Sequence, residues 1–320
     1  MPTLEGTYYP GATLDLYAWQ QPDPPISTEV KYTFKDGPRI PTQLSERYKK
    51  SIAERVALPS TPPTVSITLE RRMDSSMSRV PHVWTARVLA GATTYPSHLV
   101  AKIYDPVFSD DEEAGHDDPF HLRDLCISCE VESYRRLEPL YGTQVPRFYG
   151  YFAAMVPDQD SRTVFVLLLE EVPGRDIRTI VPPDDANKVC PKHKEAIIDA
   201  ALRLFYDVRA CGVSQVDMTP RNVILRPQKH GLLSMPEARF CDSEECPVAL
   251  DVDCDDLDMV MVDFEVVDFK EPDPKFGEPA VQKECMEAII CLELKYYMLA
   301  IAVGRVDERE FQWTGITALD

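Results

Sequence analysis

Five side chains follow one another in an order that suits the handling of a polyphosphate. Lys102 interrupts the apolar run LVAKIY, and Glu130 opens EVESYRRL. Asp217 and Asn222 stand five apart in DMTPRN, and Asp263 follows MVMV and opens DFE. Moving a phosphoryl group calls for these residue types. An ammonium offsets the charge of the α- and β-phosphates, and a carboxylate holds the ammonium in place. A second carboxylate orients or deprotonates the attacking hydroxyl, and oxygen ligands from Asn and Asp hold the Mg²⁺ that bridges the phosphates. Each residue also has a plainer reading. Lys102 would serve on an edge strand and Asp217 as a turn residue. Glu265 is either a third carboxylate near the metal or a solvated turn residue. Lysine is almost never fully buried unpaired, so Lys102 in an apolar strand asks for a carboxylate. Glu130 and Glu132 compete for that role, and the residues alone leave both open.

The elements that must position these groups can be read from periodicity. TVSITLERRM from Thr64, VPHVWTARVL and HLVAKIYD read as three strands with short links, hence an antiparallel sheet. A helix is expected over 122–142. FYGYFAAM and TVFVLLLEEV read as two more strands, the second fully buried. A helix over 192–212 opens the second half, followed by a polar loop and the short strand NVIL. MVMVDFEVV reads as a strand, and a last helix is expected over 279–304. Residues 1–63, with PDPP and STPP, read as an irregular Pro-rich extension carrying one helix over 45–58.

The chain has 320 residues, with 34 Lys+Arg against 53 Asp+Glu and a net charge of −19. That charge argues against a general phosphate-backbone binder, so nucleic acid is not an expected partner. No apolar run reaches the roughly 18 residues of a membrane helix, so no membrane partner is expected. The N-terminus lacks a basic stretch followed by an apolar one, and the nine cysteines read as reduced thiols. A cytoplasmic location is expected, and a nuclear one is compatible. The acid is concentrated: 109–118 carries six acids, and no Lys or Arg occurs from Phe240 to Phe269. Acid next to a phosphate site would repel nucleotide that lacks Mg²⁺ and favour a cationic acceptor. Cys241, Cys246 and Cys254 have four and seven residues between them, with no CxxC pair and no neighbouring His. They read as small hydrophobes or surface thiols rather than a zinc site. The acidic segment 227–258 lacks the Gly and terminal Glu of a calcium loop and reads as solvated surface.

VAKIY, EVESYRRL, DMTPRN and DFE, in this order over about residues 64–304, resemble the protein-kinase-like superfamily. The resemblance is closer to the aminoglycoside-phosphotransferase and choline-kinase branch, and to fungal protein-kinase-like proteins, than to Ser/Thr kinases. It implies an α+β bilobal fold. The first lobe, 64–172, would hold an antiparallel sheet and one helix. The second, 173–320, would be mainly helical and shortened, with an acidic insertion over about 227–258. It implies ATP and Mg²⁺ as cofactors, Lys102 as the phosphate lysine paired with Glu130, and backbone groups around Leu169, Glu170, Glu171 and Val172 facing adenine. It implies Asp217 as catalytic base and Asn222 and Asp263 as metal ligands. The chain departs from the pattern at Gln215, where the family usually has His, and at Thr219, where Ser/Thr kinases have Lys. It departs again in 70–84, which has no Gly and offers only Ser75, Ser76 and Ser78 to a phosphate. The function implied is phosphotransfer to a small-molecule hydroxyl. A catalytically weak scaffold with protein partners is the alternative, and a protein Ser/Thr kinase a lesser one.

Overall fold

The computed structural model describes residues 3–23, 43–73, 81–109, 118–156, 162–181, 185, 188–227, 241–249 and 252–281. Several expectations lie outside these: the phosphate-loop serines Ser75, Ser76 and Ser78, the acidic loop at 110–117, much of the acidic segment, and the last helix beyond residue 281. The chain is α+β and divides into two compact units, Met1–Glu138 with Pro146–Glu171, and Pro139–Val145 with Val172–Asp320.

The first unit is built on six antiparallel strands: β1 (Thr13–Ala18), β2 (Val65–Arg72), β3 (His82–Gly91), β4 (His98–Tyr104), β5 (Phe148–Met155) and β6 (Thr163–Glu170). Their order is β1-β2-β3-β4-β6-β5, closed into a barrel. Five of these strands are legible as alternating or apolar runs. β1 is not, because it lies in the Pro-rich stretch 1–63 that reads as irregular. That stretch holds a strand as well as two helices, α1 (Leu4–Thr7) and α2 (Leu44–Ala53). In TLDLYA, Leu14 and Leu16 point into the core while Asp15 stays exposed, the alternation of a half-buried strand. β1 pairs with both β2 and β5 and so covers two edges that an open five-stranded sheet would leave bare.

β4 is buried on both faces. Leu99, Ala101 and Ile103 point into the barrel with Leu14, Leu16 and Ile67. The alternate residues face outward, where Tyr104 packs with Ile127 and Val131 of α3 (Pro119–Arg136). The long helix starts three residues earlier than its periodicity suggests. Asp118 caps it by accepting from the Phe120 amide at 3.0 Å, and Pro119 occupies the first helical position. Ile127, Glu130, Val131 and Tyr134 fall on one face at helical spacing. Each fully buried large apolar side chain there contributes on the order of 1.5–3 kcal/mol.

The first unit also holds a buried polar cluster. Arg162 donates to Asp105 at 2.6 Å, and the Tyr8 hydroxyl donates to the other oxygen of the same carboxylate at 2.7 Å; Arg162 and Asp105 have no exposure. Burial first, and the Asp105 charge second, push the Tyr8 phenol well above its ordinary range. The N-terminal segment is thereby tied to the sheet by a charged hydrogen bond as well as by the β1 ladder.

The second unit holds the helices α4 (Ile177–Ile180) and α5 (Pro191–Ala210), the helical start of a further segment at 279–281, and five short strands. These are β7 (Arg175–Asp176), β8 (Val213–Gln215), β9 (Val223–Leu225), β10 (Met259–Met261) and β11 (Val267–Phe269). They form two antiparallel ladders, β10-β9-β7 and β11-β8. Gly174 lets the chain enter β7 against β9. Its φ is +140°, and a Cβ there would sit 2.3 Å from the Leu225 carbonyl oxygen. α5 ends at Ala210, and Gly212 follows with φ +79°. No helix of the described residues is long and apolar enough to cross a membrane.

Candidate functional site

The site-type residues fall into two groups, one in each unit. In the first unit Lys102 sits on the outward face of β4, in register between Val83 of β3 and Leu167 of β6. Its ammonium donates to both oxygens of Glu130, at 2.8 and 2.7 Å. Lys102 is 5% exposed and Glu130 not at all. The Tyr104 hydroxyl donates to the same carboxylate. Two charges removed from water survive only when their geometry and remaining hydrogen bonds are good, and this pair has both. Glu132, the competing carboxylate, faces elsewhere. It accepts from Arg135 at 2.6 and 2.7 Å and from Arg136 at 2.7 Å. Burial by itself would raise its pKa, but the hydrogen bonds and charges of the two arginines outweigh that and hold it below the usual carboxylate range.

Leu169 and Glu170 end β6, and Glu171 follows it. Leu169 is buried between Val100 and Phe148. The Glu170 carboxylate accepts from the Arg147 amide at 3.0 Å, and its own amide donates to the Arg147 carbonyl at 2.9 Å. Val172 begins the second unit and is half-buried.

In the second unit the two ladders bring Asp217, Asn222 and Asp263 into one neighbourhood although 41 residues separate the last two. Pairing of β9 with β10 sets the Val262 amide on the Asn222 carbonyl at 2.9 Å, immediately before Asp263. Pairing of β8 with β11 sets Gln215 opposite Val267, just beyond the DFE turn. The chain between β8 and β9 is then folded on itself. The Asn222 amide nitrogen donates to the Asp217 carbonyl at 2.9 Å and to its carboxylate at 3.1 Å. Arg221 donates to the same carboxylate oxygen at 2.7 Å. Gln215 works in two directions. Its amide oxygen accepts from the Asp217 N–H at 3.3 Å, and its amide nitrogen donates to the Asp263 carbonyl. Asp263 has φ +68°, the left-handed backbone that side chains other than Gly, Asn and Asp rarely adopt.

No protein-family model and no curated protein matches this chain. Among solved structures, the chain is similar to WaaP in complex with acyl carrier protein, at 14% identity over 76% of this chain and 81% of that one, with a TM-score of 0.36. It is similar also to the Mycobacterium tuberculosis PknI kinase domain, at 16% identity over 68% of this chain and 65% of that one, again with a TM-score of 0.36. At such scores these likenesses leave fold and activity to be argued from the chain's own geometry.

The donor set suits a hard cation. The nitrogen of Asn222 is engaged with Asp217, so its amide oxygen and the Asp263 carboxylate are the groups of a type that Mg²⁺ takes as ligands. Sequence reasoning missed Tyr104 and Arg221. Both carried a signal. Tyr104 is two residues from Lys102 and therefore on the same face of a strand, and Arg221 lies inside DMTPRN at helical spacing from Asp217.

A cavity of about 480 Å³ lies elsewhere in the second unit, lined among others by Asp199, Arg203, Asp207, Asp255 and Asp258. It touches none of Asp217, Asn222 and Asp263. The acidic segment thus contributes to a concave, negatively charged surface, with Arg203 donating to Asp199 at 3.2 Å within it.

Proposed function

We propose that the chain is a protein-kinase-like, ATP- and Mg²⁺-dependent phosphotransferase acting on the hydroxyl of a small molecule, preferably a cationic one. The observation that carries this reading is the buried Lys102–Glu130 pair, a strand lysine fixed by a helix glutamate, in a chain that also carries Asp217, Asn222 and Asp263 on adjoining turns. A lysine held at both carboxylate oxygens has its ammonium orientation set before a phosphate arrives, which lowers the cost of ordering it. Mg²⁺, when bound, offsets the charge of the phosphates.

The chain's own residues divide the work. Lys102 meets the α- and β-phosphate oxygens, and Glu130 with Tyr104 keeps it aimed. Backbone groups around Leu169, Glu170, Glu171 and Val172 would face adenine, the Glu170 amide excepted because it is committed to the Arg147 carbonyl. Asn222 and Asp263 provide the metal's oxygen ligands. Asp217 accepts the proton of the acceptor hydroxyl as the new oxygen–phosphorus bond forms, and the bond from the γ-phosphorus to the ADP oxygen breaks with its electrons leaving on ADP. The lesser role of Gln215 is to hold Asp217 and Asp263 on a common brace.

A second reading, a catalytically weak binding module, has one observation in its favour. Arg221 and Asn222 both donate to the same oxygen of the Asp217 carboxylate, which occupies that oxygen against an incoming hydroxyl. Two measurements separate the readings. Calorimetric titration of ATP with and without Mg²⁺ should give metal-dependent binding that Lys102→Ala and Asp263→Ala weaken at least about tenfold, an energy of roughly 1.4 kcal/mol. Absence of binding by the wild type, or equal binding by both variants, overturns the nucleotide reading. ATP-dependent phosphorylation across a panel of hydroxyl metabolites, including amino alcohols and aminoglycosides, should give turnover that Asp217→Ala abolishes. Binding without turnover leaves the module.

A further inference from the structure

No histidine neighbours Cys241 and Cys246 in the chain. The fold brings one. α5 begins with Cys190 at its N-cap and His193 one turn on, and both face the loop that carries Cys241 and Cys246. One sulfur from each of the three cysteines and one nitrogen of His193 all lie within 4.8 Å of one another. We propose that Cys190, His193, Cys241 and Cys246 form a closed structural site for a tetrahedral divalent cation, zinc by its ligand chemistry.

Distances within the group fit that geometry. Cys190 Sγ is 3.2 Å and Cys246 Sγ 3.6 Å from His193 Nδ1. A tetrahedron with Zn–S of about 2.3 Å and Zn–N of about 2.0–2.1 Å places neighbouring sulfur and nitrogen ligands roughly 3.5 Å apart. The other imidazole nitrogen is already committed. His193 Nε2 lies 2.7 Å from the Val252 carbonyl, which can only accept, so Nε2 carries the hydrogen and Nδ1 presents its lone pair to the sulfurs. A backbone carbonyl on the far nitrogen is how metal-bound histidines are usually aimed. The Cys190 amide also lies 3.5 Å from Cys246 Sγ, a contact that favours charge on that sulfur.

His193 has no exposure and Cys246 has 4%, yet Cys190 makes no side-chain capping bond at the start of its helix, the task an N-cap residue normally performs. All three cysteines are unpaired thiols rather than a disulfide. The ligands come as Cys-x₂-His from a rigid helix start and Cys-x₄-Cys from a turn. Four protein ligands fill the tetrahedron and leave no open position, so the metal would pin the chain and perform no chemistry. What it pins is the long connection from β9 to β10, in which the described residues 241–249 and 252–258 form no strand or helix of their own. Beyond the ligands, this connection is held by the burial of Val248, Ala249 and Val252. The proposal does not depend on the phosphotransferase reading, since none of its ligands takes part in that site.

Metal content of the full chain, purified reduced and without chelator, tests it. Mass spectrometry of the wild type should find about one zinc per chain. Cys246→Ser and His193→Asn should lose it at least tenfold, while Cys211→Ser keeps it and His193→Cys restores a four-ligand set. Cobalt exchanged into the wild type should give the intense visible bands of a tetrahedral thiolate site, a readout that needs no variant to fold. The proposal is overturned by a folded, reduced wild type that holds no zinc and takes none up. A weak octahedral cobalt spectrum, or full zinc content in Cys246→Ser, overturns it equally.

Discussion

The side-chain amide of Gln215 donates to the backbone carbonyl of Asp263, the one described residue other than glycine whose φ is positive, at +68°. Gln215 stands in the position where the resembled family usually has histidine. It binds the Asp217 amide with its oxygen while its nitrogen holds Asp263, so one uncharged side chain spans the proposed base and the proposed metal ligand. Replacement by Leu leaves the Asp263 carbonyl without this donor in a partly buried setting and should cost about 1–2 kcal/mol. Replacement by His retains a donor and should cost less. Chemical denaturation of the two variants, beside Mg²⁺-dependent nucleotide titration, checks this; equal loss in both would mean the hydrogen bond is immaterial.

Asp263 itself should separate stability from binding. Glycine adopts a φ near +68° without steric penalty, so Asp263→Gly is expected to stay within about 1 kcal/mol of the wild type. Asp263→Val forces a β-branched residue into the same conformation and should lose about 1–3 kcal/mol. Both remove the carboxylate, so both should lose Mg²⁺-dependent nucleotide binding. Thermal melts with paired titrations would show whether the two effects part in this way.

Lys102 and Glu130 stabilise each other only as a pair. Glu130→Ala takes from a buried ammonium the carboxylate that holds it with both oxygens and should destabilise the chain by about 3–5 kcal/mol. Lys102→Met with Glu130→Gln removes both charges and keeps an acceptor for Tyr104, and should recover more than half of that loss. Denaturant midpoints in a double-mutant cycle measure it. A double variant as unstable as Glu130→Ala would argue that packing and not charge holds the site.

The N-terminal segment should loosen when its polar tie is cut. Asp105→Ala removes the unexposed carboxylate that Arg162 and Tyr8 share and is expected to cost about 3–5 kcal/mol, whereas Tyr8→Phe removes one hydrogen bond to a charged group and should cost about 1.5–3 kcal/mol. Amide exchange in Thr13–Ala18 should rise in Tyr8→Phe while the β3–β4 ladder stays protected.

The Glu132 cluster predicts a pH dependence. The pKa of Glu132 is lowered in the folded chain from its ordinary 4.5, since the pairing with Arg135 and Arg136 outweighs burial. Stability from the pairing is complete above 4.5 and is lost as pH falls through the lowered folded value. Glu132→Gln should therefore flatten the acid limb of a melting-temperature profile and leave it unchanged near neutrality. An unchanged acid limb would assign that limb to other carboxylates.

Much of this molecule is written locally. The alternation of β2 and β3, the double burial of β4 and β6 and the helical spacing of α3 and α5 follow from hydrophobic period, because each element buries a face whose pattern is set by its own residues. Residue type and order likewise marked Lys102, Glu130, Asp217, Asn222 and Asp263. Even the choice of Glu130 over Glu132 had a local trace, since Arg135 and Arg136 stand three and four residues beyond Glu132 and claim it.

What resisted reading depends on partners far apart in the chain. β1 is six residues in a Pro-rich stretch, and it is a strand because β2 and β5 lie on either side of it. Tyr8 is structural because Asp105, 97 residues on, is buried beneath it. His193 precedes Cys241 by 48 residues, and only the packing of a loop on the first turn of α5 makes them neighbours. The amino-acid sequence by itself determined which elements form and which side chains are chemically able to meet a phosphate or a metal. The tertiary structure decided which of them meet, since loop closure over tens of residues is settled by the summed burial of the elements between and leaves no period in the chain.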